Sequence, residues 1–308
     1  MAYKILTTTS SFGKVDPKPL QLLKEAGFEV TLNPFGRTLT IEESISVLEG
    51  YDGLIAGTEK LNAQVLASAK KMKYLCRLGA GMDNVDFEAA EKQSIKVENT
   101  PSAHVDGVAE LTLGGILSSL RGMATAHKNL TQGNWQKPMG TLLRGRTVGI
   151  IGLGQVGKRL VALLKPFEVK ILAYDPFQDA DFAKANEIIF VDLTTIAAQS
   201  DIITMHMPFT KDAKHMIDQA FLSKCKKSAL IVNASRGGLI NEVDLLEFLS
   251  ANPSASAYLD TFEQEPYHGA LCAISNCMLT PHIGSYASEV RINMEMEAAK
   301  NVINFFKK

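Results

Sequence analysis

A chain of 308 residues exceeds what one hydrophobic core of ordinary size requires, and two domains are expected. With 46% hydrophobic and 21% charged residues it can bury substantial cores, which excludes a low-complexity polypeptide. A formal net charge of −1 supplies no general attraction for polyanions, so nucleic acid is not an expected partner.

The opening "MAYKILTTTSS" lacks the apolar run and small-residue cleavage site of a signal peptide. No segment reaches the roughly 18 uninterrupted apolar residues of a membrane helix. A cytoplasmic protein without a membrane partner is expected. Cys76, Cys225, Cys272 and Cys277 form no C-x-x-C pair with histidines at ligand spacing, so the expectation is reduced thiols, no disulfide and no metal.

In chain order, "YKILTT" precedes the helix-like "PKPLQLLKEAG", and "FEVTL", "GLIAG", "KYLCRLG" and "IKVEN" follow as further strand-like runs. Such alternation predicts a parallel sheet covered by helices. The stretch "SAHVDGVAELTLGGILSSLRGMATAHKNLTQGNW" predicts one long helix connecting two domains, with Gly114 and Gly115 permitting close packing or bending. A second series runs through "RTVGIIGLG", "VKILAYD", "SDIITMHMP", "SALIVNAS", "ASAYLDTF" and "MLTPHIG". The closing "YASEVRINMEMEAAKNVINFFKK" predicts a helix with Val290, Met294, Ala298 and Phe305 among its apolar positions, which returns the chain to the first domain. Lys307 and Lys308 read as its solvated end, and Trp135 as a packing residue at a domain or subunit surface. The fold class is therefore α/β with two domains, drawn at 1–101 plus 284–308 and at 102–283.

"GLGQVG" at 152–157 follows the strand-like "TVGII" and opens the helical "KRLVALLKPF", the context that gives a G-x-G-x-x-G run its meaning. Gly152 supplies the tight bend, Gly154 lets backbone N–H groups approach a pyrophosphate, and Gly157 lets helix and strand pack closely. The helix N-terminus faces the anion. Asp175 ends the next strand, where a carboxylate accepts hydrogen bonds from an adenosine ribose. A 2′-phosphate there would meet a repulsion of roughly 4 kcal/mol at about 4 Å and an effective dielectric of about 20, before screening, so NAD is the expected cofactor rather than NADP.

Interconverting a hydroxyl and a carbonyl requires a hydride carrier, a group that exchanges the hydroxyl proton and a cation for a carboxylate substrate. Arg236 in "IVNASRGG", Glu265 in "YLDTFEQEP" and His282 in "TPHIGS" each follow a predicted strand, on the edge where doubly wound sheets bind ligands. A carboxylate near the histidine favours imidazolium and suits it to general acid–base work. His104, His127, His206, His215 and His268 lack comparable partners in the sequence.

"GLGQVG", Asp175, "NASRGG", "LDTFEQEP" and "TPHIG" occur in the order and approximate spacing of the NAD-dependent D-2-hydroxyacid dehydrogenases, and the chain resembles that family over nearly its whole length. Through "RLGAGMDNVD", "NTPSAHVDGVAEL" and "GNWQKPMGTLLRGRTVGIIGLG" it looks most like the D-3-phosphoglycerate dehydrogenases. The resemblance implies a flavodoxin-like substrate domain and a Rossmann dinucleotide-binding domain with a doubly wound parallel sheet. It implies that His282 is the acid/base, Glu265 pairs with its imidazole, and Arg236 binds the substrate carboxylate and carbonyl oxygen. It also implies Gln155 and Val156 at the pyrophosphate, Met207 and Ala234 along the cofactor, Asp260 near the nicotinamide carboxamide, and Gly79, Ala80 and Gly81 as backbone donors to the substrate.

Phosphoglycerate dehydrogenases commonly place a phosphate-binding arginine after the third strand, where this chain reads "GLIAGTEK" with Gly57. Lys60 and Lys137 are the candidate substitute cations, each of which also reads as an ordinary solvated lysine. The substrate expectation is 3-phosphoglycerate first, with glyoxylate and hydroxypyruvate as rivals; an NAD(H)-sensing binding protein on the same fold is the alternative of another class. A homodimer, cleft closure about "NTPSA" and "IGSYA", and no serine feedback through a C-terminal regulatory domain complete the expectations.

Overall fold

The computed structural model describes residues 2–307. The chain forms two compact units, Met1–His104 with Ser285–Lys308, and Val105–Gly284. Among the described residues, no helix is long and apolar enough to cross a membrane.

In the first unit, strands β1 (Lys4–Thr7), β2 (Glu29–Thr31), β3 (Gly53–Ala56), β4 (Tyr74–Arg77) and β5 (Lys96–Asn99) alternate with helices α1 (Lys18–Glu25), α2 (Ile41–Val47), α3 (Ala63–Ser68) and α4 (Phe87–Lys92). The sheet is wholly parallel in the order β2-β1-β3-β4-β5, the flavodoxin-like arrangement. Parallel pairing requires a crossover at each step, and caps mark where those helices begin: Thr40 and Glu43 form a capping box, while Asn62 and Asp86 accept from Val65 and Ala89. The central β3 is buried along its whole length, as a strand covered on both faces must be.

The closing helix, Ser288–Phe306, buries Val290, Met294 and Ala298 in the same core as Ile5, Leu23 and Tyr74, with Phe305 partly buried against it. Its apolar stripe also carries a buried ion pair that the sequence reading did not anticipate. Arg291 and Glu295 stand 3.6 Å apart, and Glu295 accepts the Gly13 N–H at 2.8 Å. Lys307 is exposed, and Lys308 lies outside the described residues.

The second unit begins with α5 (Val105–Leu120) and α6 (Met123–Thr131). These replace the single long helix expected. The break lies at Gly122, with φ +59°, beside a returning segment whose Thr141 N–H takes the Leu120 carbonyl at 2.8 Å. Far from serving only as a connector, α5 buries Ala109 and Ile116 in the core that holds Ile150 and Leu160. Gly115 permits this approach, since a Cβ there would fall 2.1 Å from the Tyr258 ring; Gly114 has open space.

The remainder follows as β6 (Thr147–Ile151), α7 (Gln155–Leu164), β7 (Lys170–Tyr174), α8 (Ala180–Ala185), β8 (Ile189–Phe190), α9 (Leu193–Gln199) and β9 (Ile202–Met205). Then come α10 (Gln219–Leu222), β10 (Leu230–Asn233), α11 (Glu242–Ala251), β11 (Ser256–Leu259) and β12 (Cys277–Leu279). Their parallel order, β12-β11-β10-β9-β6-β7-β8, is the Rossmann arrangement with one additional strand. Strand β8 was not anticipated, because a two-residue edge strand has no room for an alternating pattern.

Candidate active site

The glycine loop leaves the end of β6 at the point where the strand order reverses, between β6 and β9. Gly152 has φ +96°, and a Cβ on it would lie 2.6 Å from the His206 carbonyl oxygen. A Cβ on Gly157 would meet the Gly152 carbonyl oxygen at 2.4 Å. Both positions thus require glycine on backbone grounds alone. Gly154 differs: it is exposed, it is the N-cap of α7, and nothing lies within 4 Å of its Cβ position. Its missing side chain leaves the helix N-terminus open, which fits an approaching anion such as a pyrophosphate.

Asp175 follows β7 and braces this loop, its Oδ2 accepting the Leu153 N–H at 2.7 Å and its Oδ1 the Phe177 N–H at 2.8 Å. Gln155 is exposed, Val156 and Met207 are half-buried, and Ala234 is buried. The side chains of Val156 and Met207 pack against the hydrophobic cores.

Arg236, Glu265 and His282 come from consecutive sheet-edge loops after β10, β11 and β12. The first loop is folded by Asn233, whose Oδ1 accepts the Ser235 N–H at 3.0 Å and hydroxyl at 2.8 Å while its Nδ2 donates to the Arg236 carbonyl at 2.7 Å. Gly237 lets this loop touch the next one, since a Cβ on it would lie 1.9 Å from the Phe262 backbone. In that next loop Glu265 accepts the Phe262 N–H on Oε1 at 3.1 Å, and its Oε2 stands 2.8 Å from His282 Nδ1. The histidine and its carboxylate partner are each about a third exposed, with side-chain values of 36% and 37%.

The His282 turn is held from beneath. Asp260 is fully buried, and its Oδ1 accepts the Thr280 hydroxyl at 2.6 Å and the Ile283 N–H at 2.8 Å, while Oδ2 accepts the Gly284 N–H at 2.8 Å. The Thr280 hydroxyl also lies 2.9 Å from the Tyr258 hydroxyl. These bonds grip both sides of His282, whose φ of +53° is uncommon outside glycine and needs such support. The Asp260 carboxylate is therefore engaged with this turn, a role that the sequence reading missed because the partners are backbone amides.

Burial pushes the Glu265 carboxyl up, but the hydrogen bond and charge of His282, the Phe262 amide and the charge of Arg236 together hold it below the usual carboxylate value. Burial raises the pKa of Asp260, against the opposing effect of Thr280 and the Ile283 and Gly284 amides. Burial also lowers the His206 imidazole to about 4, and its Nε2 lies 2.9 Å from the Thr204 hydroxyl. A cavity of about 570 Å³ opens beside the 263–269 loop, but none of Arg236, Glu265 and His282 lines it.

In the first unit, the Gly79–Gly81 loop follows β4. Gly79 has φ +138°, and the Arg77 guanidinium occupies the place of a Cβ. Its N–H donates to the Thr100 hydroxyl at 2.8 Å, and the Ala80 carbonyl accepts from Asn99 Nδ2 at 2.8 Å. The amide of Gly79 is thereby bonded within the protein.

A dinucleotide-binding loop on a Rossmann sheet, followed by a paired histidine and carboxylate on the same edge, defines the general class. Residues 113–284 match the D-isomer specific 2-hydroxyacid dehydrogenase, NAD binding domain, and the chain belongs to the D-isomer specific 2-hydroxyacid dehydrogenase family. It is 33% identical to a D-3-phosphoglycerate dehydrogenase of Archaeoglobus fulgidus over 298 residues, 95% of this chain and 56% of that protein. It spans little more than half the length of the first D-3-phosphoglycerate dehydrogenases it matches. A hydroxypyruvate reductase of Thermotoga maritima is 33% identical over 297 residues, covering 94% of each chain. The NAD+-bound crystal structure of 3-phosphoglycerate dehydrogenase in Entamoeba histolytica has a TM-score of 0.85 at 26% identity, covering 100% of this chain and 96% of that one.

Proposed function

We propose that the chain is an NAD-dependent D-2-hydroxyacid dehydrogenase, converting a short 2-oxo acid to the D-2-hydroxy acid and back. The observation that carries this reading is the 2.8 Å pair between His282 Nδ1 and Glu265 Oε2, on the sheet edge that also bears Arg236. With Nδ1 turned to the carboxylate, Nε2 is left to exchange the proton of the substrate oxygen. Arg236 binds the carboxylate through its planar donors and polarises the neighbouring carbonyl. Gly152–Gly157 and Asp175 would hold NAD, which when bound would supply or take the hydride at carbon 2. His282 gives its proton to the oxygen as the carbonyl is reduced, and recovers it in the reverse direction. Gln155, Val156, Met207 and Ala234 act on the cofactor chiefly through their backbone, and Asp260 acts on the His282 turn. Ala80 and Gly81 supply the amides of the substrate loop.

Sequence likeness makes 3-phosphoglycerate the first substrate to assay. Gly57 favours an unphosphorylated acid, such as the one named in the hydroxypyruvate reductase relative, as the second reading. The test measures NADH absorbance with a panel of 2-oxo acids, with NADH affinity measured on the same preparation. Turnover that falls by about 10²–10⁴ in His282→Ala is the expected result. Tight NADH binding without turnover in the unaltered protein would instead identify a sensor.

The chain also forms a homodimer in this reading. Support comes from Met123, Leu130, Trp135, Met139 and Leu142, large apolar side chains exposed within one segment, Trp135 at 80%. Sedimentation equilibrium should give twice the chain mass, and a monomer at all protein concentrations would refute it.

A further inference from the structure

Among the described residues, five other than glycine have positive φ: Ser94, Glu168, Glu187, His215 and His282. Three of them end helices, Glu168 capping the 3₁₀ turn Lys165–Phe167 and Ser94 and Glu187 lying just past α4 and α8, where left-handed backbone is usual. The two histidines sit instead on loops of the second unit, His282 after β12 and His215, at φ +54°, between β9 and α10. Such backbone persists where its surroundings hold it, and it collects at working sites.

His215 is held by the two loops that carry Arg236 and Glu265. Its N–H donates to the Gly238 carbonyl at 2.8 Å, and the seam continues with Ile217 N–H to the Leu239 carbonyl at 3.1 Å and Asn241 N–H to the Ile217 carbonyl at 3.0 Å. The imidazole reaches the other loop, Nε2 standing 3.2 Å from Glu263 Oε1. Nε2 is enclosed and lacks a well-aligned hydrogen bond, so the contact is one of proximity to a carboxylate, which favours a proton on that nitrogen.

Glu263 is itself fixed at the first turn of α11. Its Oε1 accepts the Glu242 N–H at 3.1 Å, and its own N–H donates to Glu242 Oε1 at 2.7 Å. Burial raises the Glu242 carboxyl, the Glu263 amide opposes this, and the charges of Glu263 and Glu265 add to it. Three carboxyl groups therefore share this corner, with His215 facing Glu263 and His282 facing Glu265.

We propose, resting on the hydride-transfer reading above, that His215 is a positioning residue, tying the Arg236 loop to the Glu265 loop so that Glu265 stays aimed at His282. It takes no part in the proton transfer itself and acts through Glu265.

The test uses the full chain, the best 2-oxo acid of the panel and His215→Gly, which removes the imidazole and suits left-handed backbone. The main-chain bond to Gly238 survives in this variant. kcat should fall about tenfold or more, the cost of a small misplacement, while KM moves by less than about threefold. Glu263→Ala breaks the same contact from the other side, and the two changes together should cost no more than about twofold beyond either alone. In a Glu265→Gln background His215→Gly should cost less than about twofold, since nothing is left to position, whereas a merely structural role would multiply the losses.

An unchanged kcat in His215→Gly, or losses that multiply in the Glu265→Gln background, overturns the proposal. Should His215→Gly fail to fold by circular dichroism, Glu263→Ala carries the same comparison; failure of both shows a requirement of the fold and overturns it too. If the unaltered protein turns over no 2-oxo acid, the hydride-transfer reading fails, and thermal midpoints at pH 7 decide the positioning. The difference between the unaltered protein and Glu265→Gln should then shrink to about half or less in the His215→Gly background. An undiminished difference overturns it.

Discussion

At the carboxyl edge of the second sheet, Asp260 commits both carboxylate oxygens to the turn that carries His282, whereas at the same edge of the first sheet Glu59 keeps one oxygen without a partner. Both carboxyl groups are buried, and both belong to parallel doubly wound sheets. The difference is in what each polar group has left to offer. A fully bonded carboxylate fixes geometry, as a reacting histidine requires. One with unused capacity is suited to reading a ligand. The second edge thus holds the His282 turn in place, while the first leaves a buried carboxylate oxygen without a partner.

The largest effect that would sharpen this contrast is crowding the rigid edge. Gly157→Ala sets a methyl 2.4 Å from the Gly152 carbonyl, and the overpacking should cost about 1–3 kcal/mol of stability, read from chemical denaturation, together with loss of NADH binding. Gly154→Ala meets nothing within 4 Å. It should leave stability unchanged and weaken NADH by about tenfold, the cost of one poorly made charge-assisted hydrogen bond. Equal losses of stability in the two variants would break the distinction between a glycine demanded by the fold and one reserved for the cofactor.

A smaller effect concerns pH. The folded pKa of Glu265 lies below the reference value of 4.5, so its contribution to stability is complete above about pH 4.5 and is lost as pH falls through the folded value. Thermal midpoints of the unaltered protein and Glu265→Gln should therefore differ above that pH and converge below it. A constant difference from pH 7 to pH 3 would show that the 2.8 Å pair with His282 does not control the titration of Glu265.

Much of this edge was legible in the sequence, because strand, turn and chemistry share short segments there. "TPHIGS" holds the strand end and His282 within a few residues, and "GLGQVG" joins strand, loop and helix N-terminus in the same way. What escaped notice depends on partners distant in the chain. Thr8 and Glu59 are 51 residues apart, and Ile283 and Asp260 are 23 apart, so no local pattern marks either bond. The broken helix was missed for a similar reason: the Leu120 carbonyl is taken by Thr141, which lies well beyond the helical pattern itself. Gly115 and Gly114 look alike in sequence, and only the Tyr258 ring distinguishes them.

The central claim is that His282, oriented by Glu265, moves the proton that accompanies hydride transfer. Its most direct test is kcat/KM with NADH and the best 2-oxo acid of the panel, for the unaltered protein and for His282→Ala, with NADH affinity measured in parallel. A loss of about 10²–10⁴ in turnover at unchanged NADH affinity is the predicted result. Turnover by His282→Ala equal to that of the unaltered protein would contradict it.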